Sequence, residues 1–222
     1  MTLQELIDQY KTEDYKFFKF IDKNGKDIKT HFIFESHAEY LDKYLGFYQN
    51  LPDLTQVIVY ATDGIFKLTN QGFDYFIRHN HQEVFKDKDG KIRGVPYEVT
   101  KQVRANLIRR INDIMSARNF DEIHQIVEEC KIKGFGPLSI YDTSMRIATK
   151  MNIEPDKVYL HAGAAKGMEI LEEKGYVKKG TAEKKFVKNE ELPIEMQKLR
   201  ASENEHFLCS MKEKISNLDK AL

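Results

Sequence analysis

The chain has 222 residues, 41% of them apolar and 32% charged, which suits one medium domain, or a main domain with appendages, around a packed core. Its 35 Lys and Arg are matched by 35 Asp and Glu, so a global polyelectrolyte attraction to nucleic acid is excluded. Between Lys131 and Lys188 the balance is uneven, 12 basic residues against 7 acidic, an excess that a solvated face would also carry.

The opening residues MTLQELIDQYKTEDYK carry charges throughout and lack the apolar core of a signal peptide. Residues 1–10 instead read as a short amphipathic helix with Leu3, Leu6, Ile7 and Tyr10 on one stripe. Two aromatic-rich runs then bracket Asn24-Gly25, a strong two-residue turn signal, and predict a β-hairpin of Lys16–Ile21 with Ile28–Phe34. Residues 36–48 read as helix, with Ala38, Leu41, Leu45 and Tyr48 periodic. The run LTQVIVYATDGIFKL mixes strand and helix signals and is assigned to helix. GFDYFIRHNHQ is also assigned to helix, and FKDKDGKIRGVPYEV to a loop or small hairpin.

From Thr100, a plausible N-cap, Val103, Leu107, Ile111 and Ile114 mark a helical face. Ile123, Ile126, Val127 and Cys130 mark a second, and Leu138, Tyr141, Met145 and Ala148 a third. A further helix is expected to begin near Pro155 or Ala162 and to end at Gly175. The Lys- and Glu-rich residues 178–190 suggest a loop, and 193–215 one or two helices. No run reaches the length of a membrane span. Cys130 and Cys209 stand far apart with no CxxC, which argues against a disulfide scaffold or a zinc ribbon and for a reducing, cytoplasmic setting.

Between the second and third of these faces lies KGFGPLSIY, Lys133 to Tyr141. Two glycines flank Phe135, and Pro137 fits the first turn of a following helix, where no donor is lost. Glycine lets the backbone turn tightly and approach another molecule closely. Amides at the start of the second helix would then favour a phosphate oxygen. The pattern resembles the helix-hairpin-helix motif, in which Lys133, Gly134, Phe135, Gly136 and Leu138 form the nucleic-acid-binding turn; Lys166 adds charge further on. The same glycines would equally serve a plain structural corner between two core helices.

Over about residues 100–175 the chain resembles the helix-hairpin-helix DNA glycosylase superfamily, whose hairpin is followed by a short apolar segment with a catalytic aspartate. The longer run GFGPLSIYDTSMRIA with DKVYLHAG is also similar to a group of uncharacterised bacterial proteins. The resemblance implies DNA as partner and, for an enzyme, base excision. Departures from that pattern are local. Tyr159 stands where the aspartate belongs, in Val158-Tyr159-Leu160-His161, and Leu138 holds the slot of the lysine found in bifunctional members. No run of four cysteines is present for an iron–sulfur cluster.

Asp142 and His161 are the candidate catalytic residues. Arg146, four residues after Asp142, could hold its carboxylate or form a surface or partly buried ion pair, and Tyr141 could stack on a base or fill the core. His161 precedes Ala162-Gly163 and could act as a base or ligand, or simply pack and cap a helix. Gly163 and Gly167 have the spacing for close helix packing. His79 and His81, two apart, do not share a helix face, and no carboxylate or cysteine near them completes a metal set, so neither metal nor cofactor is expected. Lys101, Arg104, Arg109, Arg110 and Arg118 form a basic helix.

The expected fold is mainly α, a helical region at 100–222 containing the hairpin and a helical region with a β-hairpin at 1–99, as two regions or one continuous domain. The expected function is DNA binding, with a glycosylase-like hydrolase as its enzymatic form. The alternative is a non-catalytic protein-interaction or assembly module whose glycine corner is purely structural.

Overall fold

Thr2 opens the first helix, α1 (Leu3–Thr12). Its hydroxyl accepts from the Glu5 amide at 3.2 Å while the Glu5 carboxylate accepts from the Thr2 amide at 2.8 Å, a capping box. The stripe read from the sequence is the buried one, with Leu3, Leu6, Ile7 and Tyr10 all buried. The computed structural model describes residues 1–20 and 29–221. Strands β1 (Tyr15–Phe20) and β2 (Lys29–Phe34) pair; the Asn24-Gly25 turn expected between them lies outside the described residues. Helix α2 spans His37–Gln49.

Asp53 caps α3 (Leu54–Asp63) by accepting from the Gln56 amide, and Gly64, at φ +70°, ends it. The ambiguous apolar run is therefore helix only as far as Asp63. Beyond Gly64 it becomes β3 (Ile65–Asn70), antiparallel to β4 (Phe73–Arg78) with Ile65 opposite Arg78 and Asn70 opposite Phe73. The helix expected at GFDYFIRHNHQ is thus a strand. The two loop residues, Gln71 and Gly72, both take positive φ (51° and 80°), the pattern of a type I′ hairpin turn. It carries the chain straight back along β3. A small hairpin follows, β5 (Phe85–Lys86) with β6 (Ile92–Arg93).

Helix α4 (Tyr97–Arg109) starts after Pro96, three residues before the expected cap. Thr100 lies inside it, buried, and its hydroxyl donates to Asp63 Oδ1. Then come α5 (Ile111–Ser116), α6 (Phe120–Glu129) and α7 (Pro137–Lys150). Strand β7 (Lys157–Tyr159) pairs antiparallel with β8 (Phe186–Lys188), so part of the expected 178–190 loop is strand. Helix α8 (Ala162–Glu173) lies between these strands, and α9 (Ala201–Ser210) and α10 (Lys212–Ile215) complete the chain.

The fold is helix-rich but mixed α/β, 52% helix and 14% strand, which corrects the mainly α expectation. The strands form separate two-stranded sheets, too small to dominate the hydropathy pattern. The chain forms two compact units. The first comprises Met1–Phe17, Ile33–Asp42 and Pro155–Leu222; the second comprises Phe18–Phe32 and Lys43–Glu154. The first is centred on an apolar cluster of α1, α8, α9 and α10, including Leu6, Met168, Leu171, Phe207 and Ile215. In the second, α7 packs on α3 and α6, and α4 on α3, burying Ile58, Leu107, Ile123 and Ile147. Among the described residues no helix is long and apolar enough to cross a membrane.

Candidate functional site

The KGFGPLSIY stretch is a hairpin between two helices. Helix α6 closes at Glu129, the Phe135 amide donates to Ile132 O at 3.0 Å, and Gly136 is the N-cap residue of α7 with Pro137 in its first turn. Gly134 has φ +97°, a conformation that glycine adopts without strain. Gly136 has φ −84° and ψ 178°, ordinary extended backbone. Lys131, Lys133, Gly134, Gly136 and Pro137 are exposed, Leu138 is half-buried, and Phe135 is 3% exposed and anchors the turn. A methyl group on Gly136 would meet nothing within 4 Å, whereas one on Gly134 would touch the Val99 side chain at 3.4 Å. The first amides of α7 have no carbonyl one turn earlier to donate to. They lie at an exposed corner flanked by two lysines, one of which, Lys131, pairs with Glu128 at 3.1 Å.

Further along α7 the sequence alternates of core and surface give way to a buried polar cluster. Arg146 is 0% exposed. Its guanidinium donates to the Tyr44 hydroxyl through Nε, to Ala61 O at 2.8 Å through Nη1, and to Gln82 Oε1 at 3.1 Å and Asp142 Oδ2 at 3.5 Å through Nη2. The Asp142–Arg146 pair is therefore a core feature, the more buried of the two settings that the sequence allowed. Burial opposes ionisation of Asp142. The neighbouring His81, with its hydrogen bond, Arg146 and His79 outweigh that and hold the carboxyl well below its usual range. Burial also opposes the charge on Arg146, but Tyr44, Tyr48 and Asp142 keep it firmly protonated.

His81 Nδ1 lies 2.8 Å from the same Asp142 oxygen, with the His81 side chain 30% exposed and that of Asp142 11% exposed. The His81 amide donates to His79 Nδ1 at 3.3 Å, and the two imidazoles stand edge to face at 4.4 Å. The sequence reading found no carboxylate to complete a set with these histidines. The structure supplies one from α7, 61 residues away, and ligand atoms of His79, His81 and Asp142 all lie within 4.8 Å of one another. The histidines follow β4 in a turn, so the helix-face argument against them does not apply. Gln82, fully buried, is held at Oε1 by Arg146; among the described residues its Nε2 has no hydrogen-bond partner.

Tyr141 is buried against Phe120 at 5.8 Å between ring centroids, the core role rather than a stacking platform. The remaining sequence candidates belong to the first unit. His161 precedes α8, but its side chain makes no capping bond; Nδ1 is 3.9 Å from Glu205 Oε1. Tyr159 lies in β7 opposite Phe186. Lys166 pairs with Glu169 at 2.7 Å on the exposed side of α8. Gly163 and Gly167 are packing positions, since a methyl group there would stand 2.4 Å from Cys209 Sγ and 2.3 Å from Leu208 O. The hairpin glycines, Asp142, Tyr141 and Arg146 thus share one unit, and His161, Tyr159 and Lys166 the other.

Comparison with protein-family models, with curated proteins and with solved structures finds no match. Sequence reasoning missed Tyr44, His79, His81 and Gln82 as members of the buried cluster. The signal available was the His-x-His spacing of His79 and His81.

Proposed function

We propose that the second unit binds nucleic acid at the hairpin corner, a phosphate oxygen being held by the first amides of α7 with Lys131 and Lys133 adding charge. The observation that supports this reading is the open space at Gly136. A glycine serving only a structural corner is expected to be crowded or to need positive φ, and Gly136 is neither. Its lack of a side chain makes sense for a surface that another molecule approaches closely. Phe135, buried between the glycines, holds the turn rigid while leaving its backbone outside.

Binding of labelled duplex and single-stranded DNA, followed by fluorescence anisotropy across a salt series, tests the reading. With a few phosphate contacts, log affinity falls with log salt by about 0.9 per contact on duplex. Lys133→Glu should reduce both affinity and slope. Gly136→Ala should weaken binding while leaving the unfolding transition in place. If the protein binds neither DNA form at low salt, the corner is structural and the assembly-module reading takes over. Base excision is the enzymatic extension, read as release of free base from duplexes carrying modified bases, with Asp142→Asn as the control.

A further inference from the structure

We propose that His79, His81 and Asp142 form a binding site for one divalent transition-metal ion. Two imidazoles and a carboxylate are the donor set of many zinc sites that keep a position open for water, and imidazole also suits cobalt, nickel and copper. Three features of the cluster point to a ligand set rather than to a simple ion pair. The donors converge from two elements distant in sequence, the turn after β4 and the middle of α7. Both imidazoles are partly exposed, so an ion can reach them and retain a solvent-facing position. The carboxylate is also engaged on one side only. Among the described residues its contacts with His81 and with Arg146 both fall on Oδ2, which leaves Oδ1 to bind an ion.

Arg146 is the positioning residue of this site. Bound on three further sides by Tyr44, Ala61 O and Gln82, it fixes Asp142 as the hydrogen-bonding groups around metal ligands do. Its own charge makes the site weaker than a closed structural zinc centre, since the carboxylate is already partly neutralised. Little movement is needed. Ligand atoms of the three residues already lie within 4.8 Å of one another, against roughly 3.3 Å between donors about 2.0 Å from a tetrahedral ion. The weak amide contact on His79 Nδ1, at 3.3 Å, is the bond an ion entering at that atom would replace.

The proposal is independent of nucleic-acid binding and is tested without it. The full chain, stripped with chelator and exchanged into metal-free buffer, is titrated with cobalt(II), whose visible absorption reports nitrogen and oxygen coordination, and with zinc by calorimetry. One ion per chain is expected. His79→Ala and His81→Ala should each weaken binding beyond about tenfold with the far-ultraviolet circular dichroism unchanged, whereas His124→Ala on α6 should bind as the parent does. Asp142→Asn should also lose binding; if it fails to fold, the two histidine variants decide. The proposal is overturned if the parent takes up no stoichiometric ion, or if both histidine variants bind as it does.

Discussion

The two units handle buried polarity in opposite ways. In the second, a guanidinium is sealed completely inside and satisfied by a hydroxyl, a carbonyl, an amide and a carboxylate. In the first, the buried polar residues are neutral: Ser36, Thr181, Ser202 and Asn204. One of its histidines, His37, sits among rings, 4.3 Å from Tyr15 and 5.9 Å from Tyr10. Burial, with Lys214 adding repulsion and Glu13 opposing, lowers the His37 pKa from 6.5 to about 4. A buried imidazole kept uncharged among rings serves packing. A core that pays desolvation for a charge and then partly exposes two imidazoles beside it has kept chemistry within reach.

The contrast breaks most severely at Arg146. Arg146→Met leaves Asp142 buried without its guanidinium and should cost about 3–5 kcal/mol, read as a shift in the urea midpoint. Adding Asp142→Asn should recover part of that. A loss below about 1 kcal/mol would mean that the second unit does not depend on its buried charge. In the first unit the comparable lesion is steric. Gly167→Ala drives a methyl group against Leu208 O, 2.3 Å away, and should cost about 1–3 kcal/mol, with α8 and α9 losing amide-exchange protection first.

Acid sharpens the comparison. His37 has its folded pKa below its unfolded one, so the unfolded chain binds more protons between them. Its contribution is fully present above about pH 6.5, falls as pH drops from there, and is gone below about pH 4. Exchange protection of α1 and α9 should therefore weaken across that window, and His37→Phe should flatten the slope. An unchanged slope in that variant would remove His37 as the cause. The smallest effect expected is on the stability of Gly136→Ala, within about 0.5 kcal/mol, against about 1 kcal/mol for Gly134→Ala, where the positive φ penalises a side chain.

Helices with a one-sided apolar stripe were legible in the sequence. Leu3, Leu6, Ile7 and Tyr10 in α1, Ile123, Ile126 and Val127 in α6, and Cys130 just after α6 are buried as their spacing indicates. The stretch Phe73–Arg78 was not, because it is short and aromatic on both faces and so offers no clean period of two or of 3.6. Thr100 resembled a cap because threonine is a good one, but a distant carboxylate, Asp63, claimed its hydroxyl. The site was half legible. The glycines and Asp142 stand in a recognisable local pattern, while the link from Asp142 to His81 is a long-range contact that no local spacing encodes. The hairpin glycines mark the start of α7, whereas the buried cluster lies further along the same helix.

The way the first unit is threaded bears on how the protein is made. Tyr10 hydrogen-bonds His206, 196 residues later, and at about 5–20 residues per second that interval is roughly 10–40 s of synthesis. Throughout it, the apolar stripe of α1 lacks its partners on α9 and α10, whereas every residue of the second unit has been synthesised once Glu154 is added. The buried face of α1 is therefore completed only when the last helices of the chain have been made.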